Sequence, residues 1–327
     1  MDDIGTAAGR ADLIAPVRPC MAAADRAVAT LRARGELWQA RPGLVGMRGD
    51  LLALYRGVER AIAELVAAET RDEWLVPQGI ALETLARAGY FESLPQWLTL
   101  ASHLSDDPDQ LRLVADDADP ADAARTTAMP AEAALAPAAC YHAYAALAGA
   151  HLSGPRVMSV HGTCWRHEGD RLEPLARGWA FTMHELVCIG GHEEVEALRR
   201  RGMLAAELLA RSFGLEPSIV DADVFPSKSA TDRVPFPRSQ SLKHQLLLPL
   251  GDRSPIAATS FNHHERHFGE AFDIVLPDGT PAESGCVAFG IERWVLAVLA
   301  EHGPDQPAWP AALAIATESP PHPAACS

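Results

Sequence analysis

Apolar residues recur at helical spacing from Met21 to about Val66, most plainly at Leu51, Leu52, Leu54, Val58, Ile62 and Leu65, with acids and arginines on the opposite side. Ile80 to Ala88 also predicts a helix, and Gly89 and Pro95 punctuate the stretch after it. Asp106 to Arg125 is acidic, holds two prolines and keeps no apolar period, which predicts a long surface loop. The middle of the chain changes period. Arg156 to Gly162 and Ala180 to Ile189 read as strands, joined by a charged, glycine-containing connection over 166–178, so an antiparallel hairpin is expected. Glu193 to Phe213 predicts a long amphipathic helix with acids in its first turn. Leu246 to Leu250, Ala257 to Ser260 and Ala271 to Leu276 predict further strands, and Gly290 to Leu299 a strongly apolar helix.

Strands linked by hairpins, with helices before and after, predict an α+β fold: an antiparallel β-sheet flanked by helices. The βαβ alternation of a dinucleotide-binding fold is missing, as are G-x-G-x-x-G and G-x-x-x-x-G-K-[ST]. Residues 1–19 are polar and Ala/Gly-rich and residues 305–327 Pro/Ala-rich, so flexible tails are expected at both ends of a single domain over 20–304.

Charge and cysteine content narrow the function classes. In 327 residues, 28 Lys+Arg stand against 43 Asp+Glu, a net charge of −15, which disfavours a partner held by many phosphate contacts. The first fifteen residues show no signal-peptide pattern, and no stretch has the length and apolarity of a spanning helix. Six cysteines, none in a C-x-x-C pair, are too sparse for a disulfide framework. A cytoplasmic enzyme, off the membrane, is the expectation.

Two short segments carry candidate chemistry: Thr163-Cys164-Trp165-Arg166-His167-Glu168 at a strand end, and Gly290-Ile291-Glu292-Arg293 at the start of the apolar helix. Together and in this order they resemble motifs 2 and 3 of the class II aminoacyl-tRNA synthetases. Lys243, followed by Ala257-Ala258-Thr259-Ser260-Phe261-Asn262, is similar to the strand pair of the seryl branch. The resemblance implies a class II catalytic core that binds ATP with Mg²⁺. Arg166 would hold the α-phosphate and the substrate carboxylate, and Arg293 the γ-phosphate and the adenine face. Glu168 would accept from the adenine amino group, and Arg177 and Gly178 would close a loop over the nucleotide. Lys243, Ala257, Ala258, Thr259 and Ser260 would complete the ATP site, with Asn262 beside the substrate. Fixed guanidinium groups suit this work because their planar forks bind phosphate and carboxylate bidentately while charge builds on both.

Cys140, Glu185 and Cys286 lie in three segments beside these motifs, a placement that resembles the Cys/Glu/Cys zinc site of the atypical, archaeal-type seryl-tRNA synthetases and their shortened relatives. Three protein donors leave one tetrahedral position for a substrate α-amine, which puts Glu185 at the substrate as well. Cys164 and Cys188 fall in the same strands and are rival ligands. His263-His264-Glu265-Arg266-His267 lacks the H-E-x-x-H spacing and reads as a polar loop bordering the site.

The region before Cys140 is modest in size, not basic and without sustained heptads, unlike the tRNA-binding arm of a seryl enzyme. The whole pattern looks like the amino acid:[carrier protein] ligases, which implies loading of glycine or alanine onto the phosphopantetheine thiol of a carrier protein by a homodimer, with tRNA an unlikely acceptor. Arg199, Arg200 and Arg201 are the expected docking strip for an acidic carrier. The alternatives are a seryl-tRNA synthetase-like ligase, a non-catalytic amino-acid or nucleotide-binding paralogue, and a zinc hydrolase; no water-activating base is marked for the last.

Overall fold

The computed structural model describes residues 21–222 and 242–313. The N-terminal tail expected over 1–19 and the last part of the C-terminal one, 314–327, lie outside the described residues, as do Cys20 and Cys326.

The helical run expected from Met21 to Val66 is broken in two. Helix α1 (Ala23–Ala33) and helix α2 (Gly49–Ala67) flank a hairpin of β1 (Leu37–Arg41) and β2 (Leu44–Met47). The break falls where Gly35 and Gly43 take positive φ, a left-handed turn geometry that a helical pattern of neighbouring apolar residues does not reveal. Strands β3 (Glu73–Leu75) and β4 (Gly79–Ala81) come next, then the short helix α3 (Leu82–Arg87) and β5 (Thr99–Ala101).

The acidic segment expected to be a loop instead forms two exposed helices, α4 (Pro108–Asp116) and α5 (Pro120–Thr127). Each opens on an aspartate cap followed by proline at the first helical position. Asp107 accepts from the amides of Asp109 and Gln110, and Asp119 from those of Ala121 and Asp122. Local capping makes these helices without burying any of their residues. Strand β6 (Ala133–Leu135) then completes a small sheet of order β4-β6-β5.

Helix α6 (Cys140–Ala146) leads into the main sheet. Its strands are β7 (Arg156–Trp165) and β8 (Ala180–Gly190), then, after helix α7 (His192–Ser212), β9 (Ser218–Asp221), β10 (Leu242–Leu250) and β11 (Arg253–Glu265). Helix α8 (His267–Phe272), strand β12 (Glu283–Gly290) and helix α9 (Ile291–His302) close the chain order. The seven strands run in the order β3-β7-β8-β12-β11-β10-β9, antiparallel throughout except for the parallel pair β3-β7. The strand expected over Ala271 to Leu276 is not formed: α8 ends at Phe272, Asp273 turns left-handed, and Val275 makes only two isolated bridges, to His151 and Pro281.

Both sheet faces are covered. On one, α1, α2, α7 and α9 bury a large core in which Trp294, Phe213, Phe261 and Phe289 are fully enclosed. Helix α9 is apolar all round because it lies in the middle of this layer, with every residue from Trp294 to Ala300 buried. On the other face, α6 and α8 pack Tyr144, Phe268 and Phe272 against β7, β8 and β12. The described part of the C-terminal segment, 305–313, is not loose. Trp309 donates its indole N–H to the Gly303 carbonyl, and Leu313 is buried against α2, where the bare Cα of Gly57 admits its backbone. Among the described residues no helix is long and apolar enough to cross a membrane.

Candidate active site

Between the sheet, the small β4-β6-β5 unit and α6 lies a cavity of about 320 Å³. Every site residue expected from the sequence lines it: Cys140, Arg166, Glu168, Arg177, Gly178, Glu185, Lys243, Ala257, Ala258, Thr259, Ser260, Asn262, Cys286 and Arg293. Strand pairing explains the convergence. Lys243 on β10 sits opposite Asn262 on β11, Asn262 opposite Cys286 on β12, and Ala288 on β12 opposite Glu185 on β8. Four short segments far apart in sequence thus become one floor.

One end of the cavity is cationic. Arg166, just past the end of β7, donates through Nε to the Pro137 carbonyl at 2.7 Å, and its guanidinium stacks 5.3 Å over the Phe181 ring. Arg293, in the first turn of α9, donates to the carbonyls of Ala176 and Ala257, each at 2.8 Å. These contacts fix the guanidinium planes before any ligand arrives. Burial, reinforced by Arg166, pushes the Arg293 guanidinium down to about 10 and the Lys243 ammonium down to about 8. Three cations crowded enough to disfavour one another's charge make a site suited to a polyanion. Glu168 is held by Arg177 at 3.2 Å, and Thr259 spends its hydroxyl accepting from the Trp294 indole at 3.0 Å.

The other end is a nest of soft donors. The ligand atoms of Cys140, Glu185 and Cys286 lie within 4.8 Å of one another, and all three residues are buried. Glu185 accepts from the amides of Ala139, at 2.8 Å, and Cys140, at 3.4 Å, which aims it into the cluster. Burial, and then the Cys286 sulfur, push its carboxyl up to about 7. The thiols share one hydrogen bond that raises Cys140 and lowers Cys286. His264 and Asn262 further favour the Cys286 thiolate, the amide of Asn262 lying 3.2 Å from its sulfur. Two thiols and a carboxylate so close, with sulfurs that a tetrahedral zinc would hold about 3.8 Å apart, fit a metal of that type. The rivals fall away: Cys164 points toward the Gly162 carbonyl, Cys188 is enclosed in the other layer, and neither belongs to the cluster.

Three comparisons bear on this arrangement. No family model matches the chain. Amino acid–[acyl-carrier-protein] ligase 1 of Bradyrhizobium diazoefficiens is 34% identical over 266 residues, which cover 79% of this chain and 81% of that protein. The chain belongs to the amino acid–[acyl-carrier-protein] ligase family. A type-2 serine–tRNA ligase of Methanocaldococcus jannaschii is 30% identical over 77% of this chain, which spans only 51% of that larger protein. Among solved structures, the M. kandleri seryl-tRNA synthetase in complex with A. aeolicus tRNASec superposes with a TM-score of 0.77 over 88% of this chain and 59% of that one, at 24% identity. The fold is therefore the class II synthetase core.

For a ligase of this family the structure adds residues that motif reading passed over. His264, expected in a polar loop, lies within a paired strand: β11 continues through Glu265 because its edges are already held by β10 and β12. It touches the Tyr144 hydroxyl and Ser284 Oγ at 3.3 Å and the Cys286 sulfur at 4.0 Å. Strand alternation places it on the same side as Asn262, a signal present in the sequence once the strand is extended. Glu292, beside Arg293, accepts from the Thr182 amide with both oxygens, and burial pushes it up to about 7.

The expected docking strip is corrected. Arg199 is buried and paired with Glu196 at 3.1 Å, Arg200 lies 3.9 Å from the same carboxylate, and Arg201 is bonded to Glu69 at 2.9 Å. Arg199 is thus withdrawn from the surface, whereas Arg200 and Arg201 stay exposed in ion pairs with Glu196 and Glu69.

Proposed function

We propose that this enzyme activates glycine or alanine with ATP and transfers the aminoacyl group to the phosphopantetheine thiol of an acyl carrier protein. The observation that carries the reading is a single cavity with a cationic end and a Cys/Glu/Cys end, in a chain whose relative is named for amino-acid transfer to an acyl carrier protein.

Cys140, Glu185 and Cys286 are proposed to hold zinc, which when bound supplies a Lewis acid for the substrate α-amine in its deprotonated form. Arg166 then orients the amino-acid carboxylate against the α-phosphorus of ATP, accompanied by Mg²⁺. A carboxylate oxygen forms the new P–O bond and the bond to pyrophosphate breaks, giving an aminoacyl-adenylate. Arg293, anchored on two carbonyls, and Lys243 stabilise charge accumulating on the phosphates. Glu168 accepts from the adenine amino group, while Arg177 and Gly178 close over the nucleotide. The backbone of Ala257, Ala258 and Thr259, with Ser260, forms the floor beneath it, and Asn262 borders the amine. In the second step the carrier's thiolate attacks the carbonyl carbon, and AMP leaves with the electron pair of the broken C–O bond.

The same reading makes the ligase a cytoplasmic homodimer that does not charge tRNA; the four free cysteines among the described residues support the compartment, and the 76% exposed Leu75 on the open sheet edge at β3 supports the dimer. The test is amino-acid-dependent pyrophosphate exchange, followed by transfer to holo-carrier and to tRNA. Exchange with glycine or alanine and loading of the carrier alone is the expected result. Serine-dependent charging of tRNA would overturn the acceptor, and absence of exchange with any amino acid would overturn the activity.

A further inference from the structure

A second group of donors sits on the opposite face of the same strands, under the start of α7, and the ligase reaction has no use for it. His192 is the first residue of α7, His263 lies near the end of β11, and Glu283 opens β12. The Nε2 atom of His263 is 2.7 Å from Glu283 Oε2, and Nδ1 of His192 is 3.0 Å from the same oxygen. All three donor atoms lie within 4.8 Å of one another.

The setting of His263 is unusual. It is only 1% exposed, and both ring nitrogens face carboxylates. Its Nδ1 lies 2.7 Å from Glu196 Oε1, off the direction of a ring N–H, so this is an ion-pair contact rather than a hydrogen bond. A neutral imidazole carries one N–H and one lone pair. With its proton on Nδ1, the Nε2 lone pair would meet the Glu283 oxygen at 2.7 Å; with its proton on Nε2, it donates to Glu283 and Nδ1 is left without a hydrogen bond. A divalent ion held by Nε2 would take the place of that proton.

Three features favour the metal. Two imidazoles converge on one carboxylate oxygen, where a proton on each would need only that oxygen as acceptor, but an ion would use all three groups at once. The convergence opens onto a cavity of about 330 Å³, with room for water in the remaining coordination positions. Glu196 Oε1 stands 2.7 Å from Nδ1 of His263, an anion on the side of the ring away from the cluster. Two imidazoles with one carboxylate are a donor set for a borderline first-row divalent ion. We propose that His192, His263 and Glu283 form a second, zinc-type divalent-cation site that pins the start of α7 to β11 and β12.

The test uses untagged full-length protein carrying Cys140→Ala, so that the sulfur-containing cluster is broken. After equilibrium dialysis against micromolar Zn²⁺, this variant should retain one ion per chain, and adding His192→Ala should remove it. Because His192 is exposed, that change leaves the core intact. Should Cys140→Ala not fold, Co²⁺ titration of the unmodified protein and of His192→Ala alone gives the answer. The second site should contribute d–d bands without sulfur charge transfer, absent from His192→Ala. No zinc in Cys140→Ala, or zinc indifferent to His192→Ala, would overturn the proposal and leave His192 and His263 as hydrogen-bond partners of Glu283 only. Failure of the Cys/Glu/Cys assignment reads differently: the unmodified protein would then hold only the His192-dependent ion.

Discussion

On one face of β11 and β12, Asn262, His264 and Cys286 turn toward the large cavity; on the other, His263 and Glu283 turn toward α7. Alternation along two paired strands is enough to keep the two donor sets apart. Their surroundings differ more than their ligands do. The cavity-side cluster is fully buried, rich in sulfur and continuous with Arg166, Lys243 and Arg293. The cluster under α7 has an exposed imidazole, no sulfur and, nearby, two arginines that share the Glu196 carboxylate. Only the first couples a place for a soft cation to a place for a polyanion. That coupling is what an enzyme joining an amine-bearing carboxylate to a nucleotide requires, and a donor cluster without it reads as a clip.

The largest expected effect breaks the cationic end alone. Arg166→Ala removes a guanidinium aimed by Pro137 and Phe181, and pyrophosphate exchange should fall about 10²- to 10³-fold, as when a fixed donor to a developing anion is lost. Metal content should not change, because Arg166 is not among the donors. Loss of metal together with exchange would show that the two ends are one unit.

Lys243 sharpens the comparison through pH. Its ammonium titrates near 8 because it is buried close to Arg166, so the cationic end loses a charge as pH rises through that value. The KM for ATP should climb about fivefold between pH 8 and pH 9, following the loss of the charged form. For stability the sign is opposite. Between about 8 and the ordinary lysine value the unfolded chain binds the extra proton, so unfolding free energy should rise with pH in that window. Lys243→Met should flatten both dependences, and a KM for ATP level across this range in the unmodified enzyme would contradict the assignment.

The α7 side is probed by packing. Gly202 lets α7 lie against β12; a Cβ there would meet Val287 Cγ2 at 2.5 Å, and Val287 is buried and stiff. Gly202→Ala gains helix propensity but must displace the strand or the helix, for a net loss of about 1–2 kcal/mol in urea unfolding. Because His192 and Glu196 ride on α7 while His263 and Glu283 ride on the strands, His192-dependent zinc should weaken and exchange should hold. Equal loss at both clusters would mean that the sheet, not the helix, had moved.

How much of this is visible in the sequence depends on the range of the interaction that makes it. The motif residues Arg166, Glu168 and Arg293 are legible because each depends on a strand end or helix start a few residues long. The trio Cys140, Glu185 and Cys286 is legible only through resemblance; its geometry depends on the register of β8 against β12 and on how α6 docks, neither of which leaves a local signal. The helices α4 and α5 escape a reading that weighs apolar periodicity above capping, although their Asp-Pro caps at Asp107 and Asp119 stand in plain view. Arg199 misleads for a different reason. Glu196, which neutralises it, belongs to the helix's own turn and is shared with His263 from a strand of the sheet, and burial of a charge is not written in its neighbours alone.

The smallest effect separates the two pairs of buried cysteines. Cys188 shares β8 with Glu185 and Cys164 lies on the neighbouring β7, and burial pushes the Cys164 thiol well up and that of Cys188 up to about 12. A thiol held protonated in an apolar setting is a small hydrophobe rather than a donor. Cys164→Ala should therefore cost about 1 kcal/mol of stability, the loss of a sulfur's worth of packing with little room to collapse. Zinc content and exchange should match the unmodified enzyme within experimental scatter. Cys286→Ala, on another strand and also buried, should lose both. If instead the Cys164 variant also released the metal, the donor set drawn from Cys140, Glu185 and Cys286 would have to be widened to the residue on β7.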